Sequence, residues 1–137
     1  EEGLLELFPV MATLESLCAE LAAQKMTDSD LGYLQKLHAR LEKHAANGKV
    51  DSYYEVNREI HSAVHQLADN RWLEKTSAEL RNVLTLARHK QLTKEGRLEE
   101  SLEEHRVIMD AFEKGDAKKA GKAMHAHLCN QEKALRD

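Results

Sequence analysis

Residues 53–67 read YYEVNREIHSAVHQL, a segment that repeats apolar side chains with the period of an α-helix. The apolar arc of this helix consists of Tyr53, Val56, Ile60, Val64 and Leu67. Asn57 and His61 lie one turn apart along one edge of the arc, and His65 continues the row but is rotated towards solvent. The segment therefore predicts a helix that buries one face and carries an amide and an imidazole at the border of a core.

The same period recurs along the chain and predicts about six helices. They cover residues 4–25, 28–47, 51–68, 71–92, 98–114 and 117 to near the C-terminus. The breaks fall at Thr27, Asn47-Gly48, Asp69-Asn70, a short loop at 93–97, and Gly115-Asp116. No segment has the alternation of a strand. We therefore predict an all-α fold, an antiparallel bundle of about six helices in which residues 1–137 form a single domain.

Composition narrows the class of protein. The chain has 137 residues, 32% of them charged, a net charge of −4 and a pI near 6.1, so it lacks the basic surface that DNA binding requires. Two cysteines, Cys18 and Cys129, are typical of a reduced cytoplasmic protein, and no apolar run reaches the length of a membrane span. Because the chain opens on Glu1 and the first methionine is Met11, we expect the native protein to begin upstream.

Three predicted helices each direct one histidine inward. Besides His61, His105 lies in the middle of the apolar face of the fifth helix, and His127 lies within the arc of the sixth. A buried imidazole costs a few kcal/mol unless it is hydrogen-bonded or ligated, by a rough estimate. The cluster is therefore either a set of satisfied core histidines or, with the amide oxygen of Asn57, a site for Zn, Ni, Mn or Fe with open positions. The surface histidines are predicted to be His38, His44, His89 and His125.

Two arginines are candidates for holding an acid. Arg81 and Arg88 are seven residues apart on the fourth predicted helix, hence on the same side, and a guanidinium can hold a carboxylate bidentately. The alternative is that both are surface residues whose stems lie on the core. A run of acids, in contrast, is interpreted as a solvated helix face: Glu99, Glu100, Glu103 and Glu104.

These residues resemble the FCD domain, the C-terminal sensor domain of the FadR subgroup of GntR-family regulators, over nearly the whole chain. Asn57 to His61 matches the family's Asp-x-x-x-His element, Glu104-His105 its Glu-His element, and the segment from Gly115-Asp116 to His127-Leu128 its closing element. The resemblance implies that the matched positions ligate a divalent metal at the bottom of a pocket. That role transfers to Asn57, His61, His105 and His127, with Zn or Ni the expected metal.

The resemblance also implies partners. It implies a small organic-acid effector, a homodimer, and DNA binding only through an upstream winged-helix domain that is absent from this chain. Two departures from the family matter. The usual Asp is the neutral Asn57, which leaves the charge of the metal uncompensated, lowering metal affinity but increasing attraction for an anion. An Arg commonly found near Met11 is missing, so Arg81 or Arg88 is expected to bind the effector.

The predicted function is therefore that of the ligand-sensing domain of a bacterial transcription regulator, located in the cytoplasm. The alternatives are a metal-dependent helical-bundle enzyme of hydrolase type and a plain dimerisation module with core histidines. Against the enzyme, the chain has neither His-Glu-x-x-His nor a Glu-x-x-His repeat. Glu104, the nearest candidate base, adjoins His105 in sequence but points about 100° away from it on a helix.

Overall fold

Helices form the whole fold in the computed structural model, which describes residues 2–136. The segments are α1 (Glu2–Leu5), α2 (Leu7–Lys25), α3 (Asp28–Ala46), α4 (Val50–Leu67), α5 (Arg71–Val83), α6 (Thr85–Gln91), α7 (Arg97–Glu113) and α8 (Ala117–Arg136). The largest interface joins α2 to α8, while α3 packs against α4 and α7. This arrangement confirms the predicted all-α bundle. Across the described residues, no helix combines the length and apolarity needed to cross a lipid bilayer.

Side-chain caps set the ends of the helices where the sequence predicted them. Thr27 and Asp30 form a reciprocal capping box that begins α3, each side chain accepting from the other's backbone N–H. Before α5, Asp69 adopts a left-handed conformation with φ of 52°, which a short polar side chain tolerates. Asn70 then accepts a hydrogen bond from the backbone N–H of Leu73. The break at Asp69-Asn70 is thus a turn followed by a capped helix.

Two glycines are required by the packing of α8. Gly115 has φ of +66°, in the left-handed region that other residues rarely adopt, and it separates α7 from α8. Asp116 caps α8 by accepting from the backbone N–H of Lys119. Gly121 faces α2 so closely that a Cβ atom there would lie 3.2 Å from the carbonyl oxygen of Ser16. A side chain at position 121 would therefore require α2 to shift by a few tenths of an ångström in the largest interface of the bundle.

The predicted helix over residues 71–92 is divided at Leu84, which is a correction to the sequence analysis. Backbone hydrogen bonds continue on both sides, from Leu84 N–H to the Leu80 carbonyl and from Arg88 N–H to the Leu84 carbonyl. The hydroxyl of Thr85 donates to the carbonyl of Arg81 at 3.0 Å, a bond that bends helices. Leu84 is consequently a kink rather than a loop. The predicted first helix is likewise divided, into α1 and α2.

Buried apolar side chains form two clusters rather than one. The first involves α2, α4, α5, α7 and α8 together with Leu34 of α3, and the second involves α3, α4 and α7. Along α4 the change from one cluster to the other falls between Ile60 and Val64, and along α7 between Leu102 and Ile108. Polar side chains occupy the positions between the clusters, and these contain the candidate site.

Candidate metal centre

Three buried histidines meet at the centre of the bundle. His61 on α4, His105 on α7 and His127 on α8 are 0%, 2% and 0% exposed, and each offers a ring nitrogen within 4.8 Å of the others. Nitrogens that ligate one ion at about 2.1 Å in tetrahedral geometry lie about 3.4 Å apart. Ring movements of about an ångström would therefore bring all three onto one ion, as that geometry requires.

Asn57 lies in the same cluster. Its Oδ1 atom accepts a hydrogen bond from Nε2 of His105 at 2.6 Å, and the side chain is buried. Asn57 and His61 are one turn apart on α4, as the sequence predicted. All four residues predicted as metal ligands are thus adjacent. They offer three nitrogens and one oxygen, a donor set compatible with a divalent metal.

A buried carboxylate on α2 orients His61. Glu15 is fully buried, and its Oε1 accepts from Nδ1–H of His61 at 2.7 Å. The second oxygen, Oε2, accepts from Nη1 of Arg88 at 3.0 Å. Burial alone would raise the pKa of Glu15, but His61 and Arg88 outweigh it and hold the pKa well below its usual range. Nδ1 of His61 is therefore the protonated nitrogen, and Nε2 is left free for a ligand.

A second carboxylate orients His127 in the same way. Oε1 of Glu104 accepts from Nδ1–H of His127 at 2.6 Å. Arg97 donates to both oxygens of Glu104, at 2.7 and 2.9 Å, and to Gln91 on α6. Burial by itself would raise the pKa of Glu104, but the hydrogen bonds from His127 and Arg97 outweigh burial and lower the pKa to about 2. Sequence analysis assigned Glu104 to a solvated face, and this assignment is wrong for Glu104, which is half-buried and points at α8.

All three imidazoles are held in the neutral form that binds metals. Burial lowers the pKa of His61 to about 4, against the opposing effect of Glu15. Burial also lowers the pKa of His105 well below its usual range, and it lowers that of His127 despite Glu104. Nε2 of His61 is buried and has no hydrogen-bond partner. A metal would satisfy this nitrogen, whereas Nε2 of His105 already has Asn57 as a partner and Nε2 of His127 has Gln131, so the cluster is compatible with a divalent metal.

Beside the centre lies a narrow crevice whose side chains leave no room for a water molecule. It is lined by Tyr54, Asn57, Arg58, His61, Arg81 and Arg88. Both arginines predicted to bind an effector therefore face the same space as two of the predicted metal ligands. Arg88 is buried and paired with Glu15, so it is not a surface residue, whereas Arg81 is half-buried.

The groups that surround the histidines did not follow from the sequence pattern. Glu15 lies one turn after Met11 in a stripe of buried residues, and a charge inside an apolar stripe is a signal that could have found it. Arg97 was placed in a loop but begins α7 and is buried. His65 was predicted to turn towards solvent, and this is wrong, since it is 2% exposed with Nε2 3.6 Å from Glu15. Because α4 packs against α2, α3 and α5, its buried face is wider than the apolar arc.

Comparison with known proteins agrees with this architecture. The model of the FCD domain matches residues 6–130. Among curated proteins, an uncharacterized HTH-type transcriptional regulator of Bacillus subtilis, YdhC, is 26% identical over 124 residues, covering 90% of this chain and 55% of the relative. The Uxu operon regulator of Haemophilus influenzae is 29% identical over 133 residues, covering 93% of this chain and 49% of the relative.

Two solved structures share the fold. Streptococcus agalactiae GntR superposes with a TM-score of 0.79 at 25% identity, over 95% of this chain and 58% of that one. E. coli McbR/YncC superposes with a TM-score of 0.85 at 20% identity, over 96% and 63%. The chain spans about half the length of the curated relatives that it matches.

Proposed function

Because the chain belongs to the FCD domain family, whose curated relatives here are transcription regulators and not enzymes, we propose that it is the effector-sensing domain of a GntR-type regulator. It binds a divalent metal and a small organic acid, and their binding controls a DNA-binding domain elsewhere in the full protein. The observation that carries the proposal is the convergence of three neutral, buried imidazoles, two of them oriented by buried or half-buried carboxylates.

In this proposal the metal ligands are Asn57, His61, His105 and His127, and the metal is Zn or Ni. Imidazole nitrogen suits both metals, and four protein donors leave room for an exogenous ligand at a site that expands its coordination. Carboxylates that accept from the distal N–H of ligating histidines are a regular feature of metal sites, because they fix the ring and increase its basicity. Glu15 and Glu104 have this geometry.

The first test measures the metal content of protein prepared without chelators. We expect about one Zn or Ni per chain, and we expect His105→Ala to lose most of it, because His105 is buried at the centre of the cluster. His125→Ala is the matched control, since His125 is exposed on α8. Circular dichroism checks that each variant is folded. A folded wild type that holds no metal and takes up neither added Zn nor added Ni would overturn the assignment of ligands.

The proposed effector is a small carboxylate that reaches the metal centre through the crevice, where Arg81 or Arg88 binds it. All four protein donors are neutral, so a bound divalent ion keeps its charge in a low-dielectric setting, where attraction for an anion is stronger than in water. An acid that binds only the folded protein stabilises it by ~2.7 kcal/mol at a hundredfold excess over its dissociation constant.

A thermal-shift screen of organic acids against their neutral amides tests this part. Acids should raise the melting temperature of the metal-loaded protein and not that of the stripped protein, and Arg81→Ala or Arg88→Ala should reduce the shift. Equal shifts in stripped protein would show that the acid binds without the metal and would remove this part of the proposal.

The remaining partners follow from the family. DNA binding would belong to an upstream winged-helix domain in a cytoplasmic protein, and the chain itself, with a net charge of −4, would not bind DNA specifically. We also propose a homodimer. Trp72, Val83 and Leu86 on α5 and α6 are large apolar side chains that are 69%, 53% and 84% exposed, and a second copy could cover them.

A further inference from the structure

Three guanidinium groups line the crevice beside the metal centre. Arg58 lies on α4, Arg81 on α5 and Arg88 on α6, and all three face the same space. Burial lowers the pKa of Arg81, and the neighbouring charges of Arg58 and Arg88 lower it further, whereas Glu15 raises it. The three cations therefore repel one another, and an anion bound among them would relieve that repulsion.

The described residues supply only part of the negative charge needed. Within residues 2–136, Arg88 is paired with Glu15 through Nη1, but its Nη2 is buried and has no hydrogen-bond partner. Neither Arg58 nor Arg81 forms an ion pair with a described carboxylate, and Glu59, the neighbour of Arg58, faces Arg40 on α3. One carboxylate among three guanidiniums leaves Arg58 and Arg81 without a carboxylate partner among the described residues, before any metal is counted.

The crevice extends from the protein surface to the metal centre. Asn57 and His61 belong to the crevice and to the metal cluster, so the crevice adjoins the centre. Arg88, 3% exposed, marks the inner part of the crevice, while Arg58 is exposed and Arg81 is half-buried. Ligand pockets usually enclose at least ~300 Å³. The crevice has no room for even a water molecule and therefore has to open before a ligand can enter, which rotation of the long Arg58 and Arg81 side chains could do without moving a helix.

From this geometry we infer that the effector is a dianion, and that Arg58 selects it. This inference rests on the proposed function and specifies the ligand of the same crevice. One acid group lies at the metal centre within reach of Nη2 of Arg88. The second acid group is bound between Arg81 and Arg58, which together present the planar donors that suit a carboxylate or a phosphoryl group. A monoanion would leave the outer pair unbalanced.

Calorimetric titration of the metal-loaded chain at constant ionic strength tests the inference. The probes are malonate, succinate and glutarate, each compared with the monocarboxylate of equal carbon number and with the diamide. At least one diacid should bind about tenfold or more tightly than its monoacid, since a second charge-assisted contact contributes at least that much. Arg58→Gln should remove most of this preference and leave monoacid affinity and metal content unchanged. Arg81→Gln, at a residue already assigned to acid binding, should lower the affinity for diacids and monoacids and leave metal content unchanged.

Arg71→Gln is the matched control, because Arg71 is an exposed arginine on α5 that does not line the crevice. It should leave the preference intact. If monoacids bind as tightly as every diacid, the inference is overturned while the proposed sensor of organic acids stands. If the preference survives in Arg58→Gln, Arg58 has no selective role. If metal-loaded protein binds no acid of either class, both the inference and the effector part of the proposed function are wrong.

Discussion

Replacing Glu15 with Gln tests the central arrangement of charges most directly. The substitution keeps the shape of the side chain and removes its charge. Arg88, which is 3% exposed, then stays buried beside a neutral partner. At an effective dielectric of about 20, unit charges 3.0 Å apart attract by about 5–6 kcal/mol. Breaking a buried ion pair by removing one partner typically costs about 3–5 kcal/mol, because the other charge stays buried without compensation.

We therefore expect Glu15→Gln to lower the free energy of unfolding by about 3–5 kcal/mol, a large part of the stability of an ordinary domain. Urea denaturation followed by circular dichroism measures this in stripped protein, where metal binding does not contribute. Metal affinity should fall separately, by about ten- to a hundredfold, because Nδ1–H of His61 loses its carboxylate acceptor. Competition with a chromophoric chelator measures that second effect.

The double variant Glu15→Gln/Arg88→Met separates the charge effect from loss of packing. If the uncompensated guanidinium is responsible, removing it should restore a substantial part of the lost stability without restoring metal affinity. The reasoning is refuted if Glu15→Gln unfolds at the same urea concentration as wild type. It is also refuted if the single and double variants are equally unstable.

Three further predictions concern other parts of the molecule. Asn57→Asp should tighten metal binding and weaken organic-acid binding, because it adds a negative charge to the donor set. Calorimetric titration of each ligand measures the two affinities, and an increase in both would contradict the prediction. A thiol reagent should modify Cys129 quickly and Cys18 only as the protein unfolds, because Cys18 is fully buried and burial raises its pKa to about 12. Mass spectrometry of timed samples detects the order of labelling, and simultaneous labelling of both thiols in folded protein would contradict this prediction. Leu86→Glu should weaken the proposed dimer and Val107→Glu on α7 should not, as light scattering over a concentration series would show; a dimer indifferent to Leu86→Glu would exclude that surface.

The burial of His61, His105 and His127 could be predicted from sequence because each lies inside or at the border of an apolar arc that the helical period reveals. His105 is the plainest case, since apolar residues flank it on both sides of its helix. Helical periodicity does not predict which side chains of different helices contact one another. Glu15 and His61 are 46 residues apart, and their pairing depends on where α2 crosses α4, which follows from the packing of the whole bundle.

Glu104 illustrates a second limit. It stands in a run of exposed acids, so composition suggested a solvated face, yet its position on α7 turns it towards α8, where His127 and Arg97 hold it. The kink at Leu84 is a third case, because Thr85 is an unremarkable residue in a helix until its hydroxyl is seen to bind the carbonyl one turn earlier. In all three cases, a contact between side chains or with the backbone overrides a local pattern.

The placement of Glu15 near the start of the chain and His127 near its end has a consequence for biosynthesis. On the ribosome α2 leaves the exit tunnel before α8, and the third histidine and the interface between α2 and α8 are complete only when α8 has emerged. Until then Glu15 and Arg88 lack part of the core that buries their ion pair. Capture of the proposed metal should therefore follow the synthesis of α8, so that a chain interrupted before α8 would carry no ion and would expose the core of the bundle to proteases.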